Sequence, residues 1–468
     1  MLTKMSTLKL PDGPQTHPWI QTFQWLVSPL EYMEACAQRY GDIFTLRIGP
    51  VFSPQVFISN PQAMQEVFNT DPKQLDSGEE AGIKSPLIGR QSVLALAGER
   101  HRRQRKLLIP PFHGERMRAY GQLVRDITEQ VTARWTIGEP FSVRSSMQAI
   151  SFQVILKAVF GLKEGFRYEK LQELLIETLN PKIPLLEGII FLFPALQRDL
   201  GAWSPWRVLM RRLQEIDELI YAEIAERREQ PDPSRTDILS MMMSAHDEQG
   251  QLMTDVELRD ELMTLLLAGH ETTATALSWA FYWVHHLPQV HENLLQELDS
   301  LGDNPDLSAI LRLPYLNAVC QETLRIYPVA MVALNRIVKS PLRIAGYQLE
   351  PGTVVIPSIY LTHHREDLYP EPKQFKPERF LERQFAPHEY LPFGGGNRTC
   401  IGMAFAQFEM KLVLATVLSH WQLELADNKP VEPIRRGATI GPAQGVRMIA
   451  RGKRPQNEGI LQTSSSAI

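Results

Sequence analysis

Residues 393–402 read Phe-Gly-Gly-Gly-Asn-Arg-Thr-Cys-Ile-Gly, and no other ten residues restrict the chain so tightly. Three successive glycines let a backbone approach a flat ligand closely. A cysteine then presents its sulfur, and an apolar helical segment, Ala404–Leu418, follows at once. A helix N-terminus offers free N–H groups and partial positive charge, both of which favour a thiolate. Arg398 stands two residues before Cys400, ready to pair with a carboxylate on the ligand. Gly402 leaves room where a side chain would meet the ligand plane. Taken alone, the same ten residues also describe a glycine turn with a buried free cysteine.

Helical periodicity dominates the rest of the chain. Leu258–Val284 is a long apolar segment, and Thr254 with Glu257 forms a capping-box pattern at its start. Tyr315–Tyr327 follows Pro314 and stops at Pro328, as helices do at proline. Strand signals are few. Asp42–Arg47 with Gln55–Ser59 reads as a hairpin, and Leu342–Ile356 alternates around Gly346 and Gly352. The pattern predicts a mainly α fold with small β-sheets.

Inside the long helix lies Ala268-Gly269-His270-Glu271-Thr272-Thr273. A mid-helix glycine costs roughly 1 kcal/mol relative to alanine. It clears space beside a ligand, or it lets two helices pack tightly. Thr272 can bond back to the carbonyl four residues earlier, or local water can enter and the helix bulge. Glu322 and Arg325 share a helix face and pair, which at a surface is worth only about 0–1 kcal/mol. Arg379 follows more than fifty residues later in Pro377-Glu378-Arg379-Phe380. His101-Arg102-Arg103-Gln104-Arg105 is a basic run that could equally be a solvated helix face.

These elements, in this order, resemble the cytochromes P-450 over roughly residues 8 to 450. Phe393, Gly396, Arg398, Cys400 and Gly402 fill every position of the family's cysteine-loop signature. The resemblance implies the P-450 fold, a triangular helical prism with haem b between the long helix and the cysteine-loop helix. It implies that Cys400 is the axial iron ligand, and that Arg398, His101, Arg105 and Arg336 serve the haem propionates. The family more often has tryptophan where His101 stands. Phe393, Gly394, Gly402, Ala268 and Gly269 would border the haem. Thr272 would steady bound oxygen and Glu271 would help deliver protons. Glu322, Arg325 and Arg379 would form a buried scaffold beneath the haem. The implied reaction takes substrate, O2, two electrons and two protons to hydroxylated substrate and water.

Composition sets the remaining expectations. The 468 residues are 44% hydrophobic, with a net charge of −4, which argues against a dedicated nucleic-acid binder. Length alone suggests about three domains at ~150 residues each. No linker or repeat supports that division, so one domain over 1–451 is expected, with 452–468 a disordered tail. Three scattered cysteines make neither a disulfide framework nor a cluster site. Cys36 and Cys320 read as buried structural thiols in a reducing, cytoplasmic compartment. No transmembrane segment is visible, the apolar stretch Gly188–Leu196 being too short. A monomer is expected, with electrons from a separate ferredoxin or flavodoxin. Arg102, Arg103 and Lys106 are candidates for its docking face, or a solvated surface. The family's substrate-facing segments would be 71–96, 184–193, 263–269, 329–334 and 438–441. The last three are largely aliphatic and imply a lipophilic substrate. A fatty acid or similar chain is favoured, with a sesquiterpene as runner-up. No cation for a fatty-acid carboxylate is evident in the sequence. A haem-thiolate peroxygenase or isomerase, and a haem sensor without turnover, complete the alternatives.

Overall fold

The computed structural model describes residues 10–455, apart from 50–51, 78–85, 113–115, 162–164, 180–200, 202–203, 303–304, 428 and 438. The expectations placed on 184–193 and 188–196, and on 456–468, lie outside the described residues. Proline at the first helical turn starts several helices, where its missing N–H costs nothing. These include α1 (Pro18–Val27), α2 (Pro29–Tyr40) and α3 (Pro61–Asn69). Then follow α4 (Gly98–Leu108), α5 (Arg116–Thr132), α6 (Val143–Phe160), α7 (Phe166–Leu179), α8 (Pro205–Glu229) and α9 (Ile238–Ser244). The longest, α10, runs Asp255–His286. After it come α11 (Pro288–Asp299), α12 (Leu307–Leu311), α13 (Pro314–Ile326), α14 (Ile359–His363), α15 (Arg379–Glu382) and α16 (Met403–His420).

The strands lie to one side. A five-stranded sheet has the order β1 (Ile43–Arg47), β2 (Pro54–Ile58), β8 (Val354–Pro357), β5 (Arg336–Val338), β3 (Leu75–Asp76). Only the β2–β8 pair in it is parallel. Strands β6 (Leu342–Ile344) and β7 (Tyr347–Leu349) form a hairpin, and Gly346 at φ +86° makes its turn. Strands β4 (Pro140–Ser142), β9 (Trp421–Leu425) and β12 (Arg447–Lys453) form a third sheet. Strands β10 (Pro433–Arg436) and β11 (Thr439–Pro442) pair alone. The expected boundary at 451 is corrected, because β12 continues to Lys453 and Arg454 pairs with Asp299 at 2.9 Å.

The main hydrophobic core is helical, built from α5, α6, α10, α13 and α16. Helix α10 runs through it with twenty buried residues, which explains why its sequence is apolar nearly all round. Two smaller cores lie under the sheets. Among the described residues, no helix is long and apolar enough to cross a membrane.

Candidate active site

The long helix begins as its sequence predicts. Thr254 Oγ1 accepts the Glu257 N–H, and Glu257 returns a bond to the Thr254 N–H. At its centre Thr272 donates to the Ala268 carbonyl at 2.6 Å. That bond occupies the hydroxyl proton and leaves the oxygen's lone pairs free to accept. Glu271 points elsewhere. Its carboxylate accepts from Arg144, which pairs with it, and from Gln148 at 2.9 Å, both on α6. Gly269 requires a correction of purpose. A Cβ there would lie 3.0 Å from Ile155 Cδ1, so its bare side faces α6 and not a ligand. Tight helix packing was the alternative, and it holds here.

Backbone hydrogen bonds shape the cysteine turn. The Cys400 N–H donates to Phe393 O at 2.9 Å, and the Gly394 N–H to Leu391 O at 2.9 Å. Gly394 and Gly396 adopt φ +71° and +67°, where glycine alone is comfortable. The reading of the glycine run is corrected in part. A Cβ at Gly395 would strike the Phe68 ring at 2.4 Å, and one at Gly396 would lie 2.9 Å from Phe68 O. Those two glycines admit α3, not a flat ligand. At Gly402 the nearest atom to an added Cβ is Cys400 Sγ, at 3.9 Å, so this glycine does clear the sulfur's side. Cys400 keeps exposed surface, yet the protein around it desolvates the sulfur. Burial pushes the thiol up, while the Gly402 N–H and Arg105 pull it down. The helix end alone therefore does not ionise it; a bound metal cation would.

The four residues picked from sequence come together around one carboxylate. His101 feels Arg398, Arg105, Asp76 and Arg336, and Arg398 acts on both Arg336 and Asp76. Arg398 donates to the carbonyls of Val93 (3.1 Å), Leu96 (2.7 Å) and Ser77, and to Asp76 at 3.2 Å. Its buried Nε has no partner among the described residues. Arg336 reaches Ser77 Oγ at 3.2 Å and Gly395 O at 3.3 Å. Burial and Arg398 push it down to about 10. His101 is pushed down to about 3, first by burial, so it is neutral at pH 7. Among the described residues, three guanidiniums face one carboxylate, which leaves two positive charges without a described counter-ion. Unmatched buried charge is costly. Two propionates of one porphyrin, lying beside the sulfur, would match it, so the residues present fit haem.

Beneath the turn, Glu322, Arg325 and Arg379 form the expected buried network. Arg325 binds Glu322 through Nε at 2.6 Å and Nη2 at 2.8 Å. Arg379 reaches Glu322 at 3.3 Å. Arg325 also donates to the carbonyls of His363 (2.9 Å), Pro372 (2.8 Å) and Gln374 (3.1 Å). His363 Nε2 then accepts the Leu391 N–H at 2.9 Å, just before the cysteine turn. Cys36 and Cys320 are buried, and burial raises them to about 11 and about 12.

The basic run on α4 is paired within the protein. Arg103 is tied to Asp247 at 2.6 Å and Glu257 at 2.7 Å, Lys106 pairs with Glu248, and Arg102 with Glu99 at 2.5 Å. The turn at 246–249 brings its acids over α4, so this face is charge-matched in place and not a bare basic docking surface. Sequence reasoning also missed Asp76, Phe68, Arg144 and Gln148. They are distant in sequence from what they hold, and no motif marks them.

A family model described as Cytochrome P450 matches residues 11–446. The chain belongs to the cytochrome P450 family. Cytochrome P450 135B1 of Mycobacterium tuberculosis is 35% identical over 463 residues, covering 99% of this chain and 96% of that protein. Cytochrome P450 135A1 of the same species is 33% identical over 444 residues, 94% of this chain and 95% of that protein. Among solved structures, the retinoic-acid-bound cyanobacterial CYP120A1 aligns with a TM-score of 0.80 and 25% identity. The alignment covers 95% of this chain and all of that one. As a P450 the chain is a haem-thiolate monooxygenase, with haem held through its axial cysteine, Cys400.

Proposed function

We propose that this P450 hydroxylates a fatty acid or similar lipophilic chain, with electrons from a separate ferredoxin or flavodoxin. One observation carries the substrate class. Segment 329–334 runs from the cysteine turn into an aliphatic cluster. Ala333 lies beside Gly394, and Met331 packs with Ile440 among buried apolar residues. Ile440 N–H donates to Val329 O at 2.9 Å, which fastens the β10–β11 hairpin along the same wall. A wall of this kind favours apolar ligands by desolvation. The structural neighbour holds retinoic acid, a lipophile with a carboxylate.

Bound haem supplies the oxygen-activating chemistry. The protein's residues do the rest. Arg105, Arg336 and Arg398, with His101, orient the porphyrin edge. Thr272 offers a hydroxyl oxygen whose proton is already committed to Ala268. Glu271, next to Thr272 in the chain, is held against α6 by Arg144 and Gln148 and would help deliver protons once it leaves that pairing. The buried reduced thiols Cys36 and Cys320 support a cytoplasmic setting.

The test is a titration of the haem-loaded protein with fatty acids, alkanes, sesquiterpenes and retinoids, read as the low-to-high-spin optical shift. Saturable shifts with chain lipophiles are expected. Shifts confined to polar or aromatic compounds would remove this substrate class.

A further inference from the structure

We propose that Arg435 anchors the carboxylate of an anionic lipophilic substrate at the outer end of the aliphatic wall. The inference rests on the chain-like substrate proposed above and names the group that orients it.

Arg435 pairs in register with Ile440 across the hairpin. Residues directly opposite share a face of the sheet. Arg435 therefore lies on the face of Ile440, which is buried with Met331 and has Val332 packed beside it. Its partners are a ring and two carbonyls. Nη1 donates to Trp25 O at 3.0 Å and Nε to Gly437 O at 2.8 Å. The guanidinium lies over the Trp25 ring, 5.5 Å from its centre. Nη2 makes no bond among the described residues. Burial alone pulls the group down, with no carboxylate acting on it.

That is unlike the other buried guanidiniums outside the haem cluster. Arg227 has Glu223 and Asp237, Arg259 has Asp217 and Asp260, and Arg325 has Glu322. Its neighbour Arg436 faces the other way, as alternation requires. Arg436 passes over Gly441 near Thr275 and feels both Arg144 and Glu271. Among the described residues, Arg435 is left as a partly desolvated cation with free N–H groups and no counter-ion. A carboxylate would supply both the charge and the acceptor oxygens.

The position orients the ligand. The hairpin bridges to Ala330, while Ala333 lies beside Gly394 of the cysteine turn. Three residues of chain span roughly 10 Å at most. A carboxylate on Arg435 would place its chain along Met331–Ala333 and its far carbons toward the sulfur. Oxidation then falls away from the carboxyl end. Trp19, Ile20, Phe23, Leu26 and Val27 stand exposed on α1, the helix that carries Trp25, and give a lipophile an apolar approach.

The experiment compares dodecanoic, hexadecanoic and retinoic acids with their methyl esters, by spin shift on the full-length haem-loaded chain. Wild type should take the acids at least tenfold more tightly. Arg435→Gln should weaken acids at least tenfold and change esters less than twofold, as expected for loss of a charge-assisted hydrogen bond. An intact thiolate-type spectrum reports the fold. Should Arg435→Gln lose that spectrum, Arg435→Lys decides, with a several-fold loss expected for acids alone and no change counting against the site. Acids and esters weakening together, or neither weakening, overturns the anchor. Esters bound by wild type as tightly as acids overturns the anchor but spares the chain-like substrate. Neither acid nor ester shifting the wild-type spectrum overturns both.

Discussion

Thr272 and Glu409 show how much one side chain carries. Thr272→Ala removes an acceptor at the site while the back-bond to Ala268 is dispensable to the helix. Haem content should be unchanged, and product formed per reducing equivalent should fall at least twofold, with peroxide making up the difference. An unchanged ratio would remove Thr272 from the reaction. Glu409, on α16, is almost wholly buried, and one carboxyl oxygen has no partner. Burial raises its carboxyl to about 8, and only Ser151 opposes the shift. Ser151 itself donates to Gly269 O at 3.2 Å. A folded pKa above the ordinary 4.5 means that unfolding releases a proton between those values. The contribution is whole below pH 4.5 and is lost as pH rises toward 8, an effect on the order of several kcal/mol. Glu409→Gln cannot ionise. Its denaturant midpoint should gain on wild type from pH 5 to pH 8; parallel curves would contradict the buried neutral carboxyl.

At the scale of elements, the contact between α6 and α10 is set by one missing side chain. Gly269→Val should overpack Ile155 and cost about 1–3 kcal/mol in urea unfolding. Ile155→Val in the same chain should recover much of that, and a double-mutant cycle measures the coupling. If the two changes add independently, the contact is not what the glycine serves. This element also shows what sequence conveys. The length of α10, its capping box and the hairpin of β1 and β2 follow from local pattern and cap chemistry. The partner of Gly269 does not, because Ile155 lies more than a hundred residues away. The cysteine turn was legible through its residue types, but Gly395 and Gly396 were assigned to the wrong neighbour for the same reason. Arg435 was invisible: an arginine in a short strand resembles any surface cation until its acids are found missing.

Over the whole molecule, charge is arranged in two ways. Most buried guanidiniums sit with their own carboxylates, as in the group of Arg227, Glu223 and Asp237. The haem-side cluster and Arg435 are left short of anions. Among the described residues, the haem-side cluster is where buried guanidiniums outnumber their carboxylates, and there a bound molecule would bring the opposite sign.

The tie from Arg325 through His363 to Leu391 has a consequence for assembly. The curled segment that presents sulfur is fastened to the helical scaffold through one guanidinium, one imidazole and one amide. Those ties share in the entropy cost of ordering it, so a change at Arg325 or His363 would loosen the sulfur's seat from a distance.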